Sequence, residues 1–250
     1  MMGLRRCAKT VLGILILLAV WQLAAVSGIW SAYVLPPPVK VARALAAMIE
    51  SGVLLRHILV SSRRVLAGFS IAFGLAMAGG IVASQLKAAE EYYGGFLEFM
   101  RNVPPISLIA LLILWFGIGE TSKIIIIVLA SFFPMYLNIR KGFVSGSQKL
   151  LEVGQVFGLT VWQRFCRIVL PSAVPDILVG MRIGLGYSWR AIIGAEMIAA
   201  ASGLGYLILD AQQMSRSDKV IAGILTIGTV GILCDRLFSL LIRQVTRIRE

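Results

Sequence analysis

Six apolar stretches constrain this 250-residue chain more than any other feature: 11–30, 65–85, 103–119, 124–139, 177–199 and 220–242. A helix needs about 20 apolar residues to cross ~30 Å of hydrocarbon. Four of the six meet that length. The stretches at 103–119 and 124–139 are shorter, so they recruit flanking residues or sit inside a bundle. Composition closes off the alternatives. Hydrophobic residues make up 58% and charged residues 14%, against about 45–50% and 25% in soluble domains. A net charge of +12 would suit a nucleic-acid binder, but such a domain would not also be this apolar. Disorder is excluded by the same excess. The expectation is one all-α membrane domain over 1–250 with six transmembrane helices.

Cys7, Cys166 and Cys234 are isolated, odd in number and without CxxC spacing, so they suggest neither a disulfide framework nor a zinc site. A single His57 leaves little room for metal or general-base chemistry. The basic residues Arg5, Arg6 and Lys9 precede the first stretch in the manner of a signal peptide, but the apolar run is long and ends at Trp30, an interfacial anchor. It is read as a retained helix.

The connections are uneven. Pro36-Pro37-Pro38 breaks the chain, and 39–51 reads as an amphipathic helix with Val41, Leu45 and Met48/Ile49 on one face. The 88–102 segment reads as a polar connection, and 202–217 as another. Placing the N-terminus in the cytoplasm brings the C-terminus there too. It puts Arg5, Arg6, Lys87, Arg140, Lys141, Arg164, Arg167 and Arg249 on that side, a modest positive-inside bias from which the 40–64 segment dissents.

The longest loop, 142–175, has helical periodicity of its own. Gly158 breaks one short helix, and Thr160 is placed to N-cap a second beginning near Val161. Pro171 and Pro175 are expected to end that helix and restart the chain into the fifth span. Such a projecting element suits force transfer from a soluble partner. Val156, Phe157, Leu159, Trp162 and Phe165 would fill the partner's groove, with Arg164 and Arg167 at its rim.

Glu152, then Gly158 six residues on, then nine residues, then Ile168-x-Leu170-Pro171, resembles the EAA-x3-G-x9-I-x-LP loop of binding-protein-dependent ABC importer permeases. Val153 and Gly154 stand where that motif has two alanines. Arg64–Phe69, Leu114–Gly119, Phe133-Pro134, Ala195-Glu196-Met197 and Ser202–Ile208 look like the nitrate/taurine/sulfonate subgroup. The resemblance implies a type I permease fold with cytoplasmic coupling helices, in the inner membrane. It further implies a second permease copy in a homodimer, two cytoplasmic ATPase subunits and an extracytoplasmic solute-binding protein. Glu152, Gly154, Phe157, Gly158, Trp162, Arg164, Ile168, Leu170 and Pro171 would couple to the ATPases. No Walker A pattern occurs in the chain, so no cofactor is expected here, and ATP and Mg would be bound by the partner subunits.

Ionisable groups at membrane depth are expensive, and the fifth stretch carries Arg182, Arg190 and Glu196. Arg190 and Glu196 lie about 120° apart around a helix and about 9 Å along it, a poor same-helix pair. Arg190 therefore lines a pathway favourable to anions or pairs with another helix, Asp235 being one candidate. Trp189, Ser188 and Glu196 are further pathway or gate candidates. Gly180/Gly184/Ser188 and Ala72/Ala76/Gly80 are small-xxx-small faces, suited to packing within one subunit or across a dimer seam. Gly203 and Gly205 read as a permissive turn. Two alternatives stand beside the importer permease. An ion-coupled secondary transporter would need more carboxylates in its spans than Glu196 and Asp235. A membrane enzyme would need a nucleophile with its base.

Overall fold

The computed structural model describes residues 2–85, 89–144 and 148–247. Lys87, Arg249 and the 145–147 portion of the long loop lie outside the described residues. The regular elements among those described are all helical. In order they are α1 (Met2–Val26), α2 (Pro38–Glu50), α3 (Val53–Gln85), α4 (Ala89–Asn102), a 3₁₀ turn (Pro105–Leu108), α5 (Ile109–Phe116) and α6 (Glu120–Val144). There follow α7 (Gln148–Val156), α8 (Val161–Arg164), a π turn (Phe165–Val169), α9 (Leu170–Ala199), α10 (Leu204–Gln213) and α11 (Ser217–Arg247).

The outside is apolar. Leu12, Leu17, Leu23, Leu66, Leu75, Ile232 and Leu240 are all exposed, an arrangement that suits hydrocarbon rather than water. Val53–Ser84, Glu120–Val144, Val161–Ala199 and Ser217–Gln244 are each long and apolar enough to cross a membrane. Tyr92–Asn102 and Pro105–Phe116 pass together as a pair bent by 87°. Pro104 and Pro105 sit at that bend, where neither can donate a helical hydrogen bond.

At the centre, α6 is clasped between α3 and α9. Lipid offers no hydrophobic drive for helix pairing, so close backbone approach through small residues does the work. On α3, a Cβ at Gly68 would meet Ile127 at 2.6 Å, and one at Gly80 would meet Ile139 at 2.8 Å. Ala72 and Ala76, between them on the same face, are wholly buried. On α9, a Cβ at Gly180 would meet Asn138 at 2.9 Å, and one at Gly184 the Met135 side chain at 2.5 Å. Both small-residue faces thus pack inside this one chain, each against α6.

Several elements depart from the sequence expectation. α3 begins at Val53 rather than near 65, because its polar first turns are helical and find partners across the bundle. Residues 89–102, expected as a polar connection, form α4. Much of 202–217 is α10, with Leu204, Leu207, Ile208 and Ala211 buried. In α2 the buried face is Val41, Ala44 and Met48, while Ile49 stays exposed. Pro171 and Pro175 end nothing: the chain is helical from Val161 to Ala199. Pro175 sits inside α9, and at Pro171 a π turn accounts for the continuity. The Leu170 N–H reaches back to the Phe165 carbonyl, so the wider register precedes Pro171 and loosens the turn that a proline ring would otherwise clash with.

Candidate functional site

Three features stand out, and they lie at different levels of the bundle. The first is the projecting loop at the end where α6 stops and α9 starts. α7 closes with Gly158 at φ +69°. The Gly158 N–H donates to the Gln155 carbonyl at 3.0 Å, and the Leu159 N–H to the Gly154 carbonyl at 3.0 Å. This is the Schellman pattern, which favours glycine at its left-handed position. Two residues later Thr160 caps α8 through a reciprocal capping box. The Gln163 N–H donates to Thr160 Oγ1 at 3.3 Å, and the Thr160 N–H donates to Gln163 Oε1 at 2.9 Å. Gly154 is buried, and a Cβ there would meet Ile168 at 2.8 Å and Arg164 at 3.3 Å. Of the two motif positions after Glu152, the one that must be small is therefore Gly154, whereas Val153 points outward.

The loop's apolar residues divide into two sets. Val156 (87% exposed), Phe157 (79%) and Trp162 (72%) present open surface. Leu159 and Phe165, expected to join them, turn inward. Phe165 stacks on Trp162 with centroids 5.8 Å apart and lies 6.0 Å from Phe143 of α6. It braces the loop onto the bundle. Glu152 and Arg167 are exposed, while Arg164, Ile168, Leu170 and Pro171 are half-buried.

The second feature is a buried ion cluster at the opposite end. About 39 Å of helix separates Leu170 from Glu196 at 1.5 Å per residue. Glu196, fully buried, accepts from Ser61 Oγ at 2.8 Å, Arg64 Nη1 at 2.8 Å and the Gly205 N–H at 3.0 Å. Arg64 also grips Glu120 bidentately at 2.6 and 2.7 Å, and donates to the Ser202 carbonyl at 2.7 Å. Lys123 completes the group, 3.1 Å from Glu120. The free N–H groups at the start of α10 are satisfied in trans. Gly203 donates to His57 Nδ1 at 2.9 Å, Leu204 to Ser61 Oγ at 2.9 Å, and Gly205 to Glu196. A carboxylate at a helix N-terminus is also favoured by the helix dipole. The two glycines serve different needs. Gly203 has φ +114°, whereas Gly205 lets the Ile193 carbonyl and Glu196 Cβ approach its Cα.

The third feature is a cavity of about 420 Å³ between α3, α9 and α11, whose lining includes Arg182, Trp189, Arg190, Cys234 and Asp235. Asp235 pairs with Arg182, not with Arg190: Arg182 Nε and Nη2 donate to its two oxygens at 2.7 and 2.8 Å. The reason is register, since α9 and α11 bring those two positions level. Arg190 is exposed, with its guanidinium 5.8 Å from the Tyr187 ring centroid. Trp189 is buried, and its Nε1–H donates to the Ile227 carbonyl at 3.2 Å. Ser188 is wholly buried on the α6 side, and Glu196 belongs to the ion cluster, so neither lines this cavity.

Sequence reasoning placed Glu196 and Arg190 but not Arg64, Ser61, Glu120, Lys123 or His57 in a site. A usable signal was present: Arg64 stands at the mouth of an apolar stretch, and Ser61 lies one helical turn before it. Among the described residues no group of three or more His, Cys, Asp or Glu is placed to hold a metal ion.

Comparison with known proteins agrees with this architecture. Residues 68–247 match the family described as binding-protein-dependent transport system inner membrane component. The chain is 39% identical to the putative aliphatic sulfonates transport permease protein SsuC of Bacillus subtilis (strain 168), over 94% of this chain and 85% of that protein. It is 31% identical to the nitrate import permease protein NrtB of Synechocystis, over 93% of this chain and 87% of that one. A chain of the MetNI methionine ABC transporter, solved in inward-facing conformations, superposes with a TM-score of 0.69. It is 14% identical and covers 78% of this chain and 97% of its own.

Proposed function

The chain belongs to the family of binding-protein-dependent transport inner membrane components, the permease subunits of ATP-driven importers, and on that premise we propose that it carries a small oxyanion of the sulfonate or nitrate class. Two copies form the pathway, an extracytoplasmic binding protein delivers the solute, and two cytoplasmic ATPase subunits, which bind ATP and Mg, seat the 152–171 loops. With α1 and the bent α4–α5 pair each counted as a span beside α3, α6, α9 and α11, six spans with both termini in the cytoplasm put the loop on the ATPase side and the ion cluster on the solute side. Closure of the ATPases on ATP moves the loops, and the helices rock between inward- and outward-facing states.

One observation carries this reading. The loop holds the exposed side chains of Val156, Phe157, Val161 and Trp162 on a short helix pair whose turn and cap are closed by their own hydrogen bonds. A rigid apolar knob of this kind fits a groove. Because α8, the π turn and α9 are continuous, displacement of the knob is transmitted along one helix toward the far end. The sign of the substrate follows from Arg190, a cation on the cavity wall with no ion pair among the described residues.

Gly158→Pro tests the coupling role. Proline cannot adopt φ +69° and lacks the N–H that donates to Gln155. ATP-dependent uptake by the assembled importer should be lost while membrane insertion persists. Unchanged uptake would defeat the proposal. Uptake that survives ATP depletion but fails when ion gradients collapse would favour secondary transport instead.

A further inference from the structure

Arg182 and Asp235 are about half-exposed, at 48% and 51% of their side chains, yet both lie well inside helices long and apolar enough to cross a membrane. Arg190 opens onto the same wall, and these three residues also border a second concavity of about 460 Å³. Charges at this depth do not face hydrocarbon. This face of α9 and α11 therefore meets water or a second copy of the chain, and a cavity continuous past both arginines offers the water.

Within that setting the pair has a particular form. Arg182 presents the Nε–Nη2 edge of its guanidinium, and Asp235 fills both positions at 2.7 and 2.8 Å. That edge is the fork that grips any group with two oxygens side by side. A sulfonate or a nitrate offers the same two oxygens and the same charge as the carboxylate. The fork is solvent-accessible rather than enclosed, so an incoming anion can reach it. We propose that Asp235 is an internal stand-in for the substrate: it occupies the Arg182 fork when the cavity is empty, and a passing oxyanion takes the fork from it. Arg190, one side of the same wall, draws the anion in. Releasing Asp235 frees a polar tie between α9 and α11; Trp189 to Ile227 is another. Substrate passage and helix separation are thereby linked. The proposal rests on the reading of this cavity as the pathway.

Cys234 lines the cavity beside Asp235 and reports on it directly. The full-length permease carrying Cys7→Ser and Cys166→Ser, in proteoliposomes, is labelled with 2-sulfonatoethyl methanethiosulfonate and with its trimethylammonioethyl counterpart. Ethanesulfonate is added as protector at constant ionic strength. The anionic reagent should label faster, and ethanesulfonate should protect. Asp235→Asn removes the competitor, so half-protection should need about tenfold less ethanesulfonate; Arg182→Gln should need about tenfold more. Arg182→Lys, which keeps the charge but not the fork, should fall between Arg182→Gln and the parent. A merely structural ion pair gives shifts of the same sign for Asp235→Asn and Arg182→Gln, and that result overturns the proposal. So does an absence of labelling, or labelling that ethanesulfonate leaves unchanged. None of these readouts involves ATP or the 152–171 loop, so the coupling reading stands or falls separately.

Discussion

Glu196→Ala exposes what the ion cluster contributes. The carboxylate is fully buried and holds three donors from two elements: Ser61 and Arg64 of α3, and the Gly205 N–H of α10. Removing it leaves the Gly205 N–H with no acceptor and Ser61 without its acceptor, although the Ser61 oxygen still receives the Leu204 N–H. Each orphaned buried group costs about 1–3 kcal/mol, and breaking a buried ion pair costs about 3–5 kcal/mol when the partner charge is stranded. Arg64 is not stranded, because Glu120 holds it by two bonds. The sum therefore falls near the lower bound, at about 3–4 kcal/mol. For a chain of this size about 2–4 °C accompanies each kcal/mol, so the unfolding midpoint of the purified permease in detergent should drop by about 10 °C. Glu196→Gln keeps the acceptor for Arg64 and Ser61 but sets an NH₂ against the Gly205 N–H or loses one acceptor, so it should fall between. A drop of less than about 2 °C for Glu196→Ala, or a larger drop for Gln than for Ala, would refute the reasoning.

Two further outcomes follow from the packing and the loop. Gly184→Leu drives a branched side chain into Met135, where even a Cβ meets Met135 Cγ at 2.5 Å; overpacking of this kind costs about 1–3 kcal/mol, and the midpoint should fall while Gly186→Leu, with open space around it, leaves it within error. Thr160→Ala removes one half of the capping box at a cost of about 1 kcal/mol, so transport-coupled ATP hydrolysis should weaken several-fold without loss of assembly; an unchanged ratio of solute moved to ATP hydrolysed would show that the α8 cap plays no part in coupling.

The loop was the most legible part of the site. Its information is local: a left-handed glycine, a threonine cap with glutamine three residues on, and a small residue facing the returning helix all lie within about twenty residues. The prolines were misleading for an equally physical reason. Pro171 follows a π turn that has already widened the register, and Pro175 is carried inside α9 without ending it. The first turns of α3 were misjudged because Ser61 and Arg64 look like loop residues until their partners are in place.

Hydrophobic run length, loop charge and small-residue spacing follow from the period of one helix, so the chain alone determined that it spans a membrane, packs through glycine faces and carries a projecting loop. Pairing between helices depends on crossing angle, register and depth, none of which is local. Arg64 meets Glu196 across 132 residues and Arg182 meets Asp235 across 53. A charge in a span needs a counter-charge somewhere, and that need was visible in the sequence. Which arginine takes which carboxylate was decided only when α3, α6, α9 and α11 packed together and brought their polar turns level.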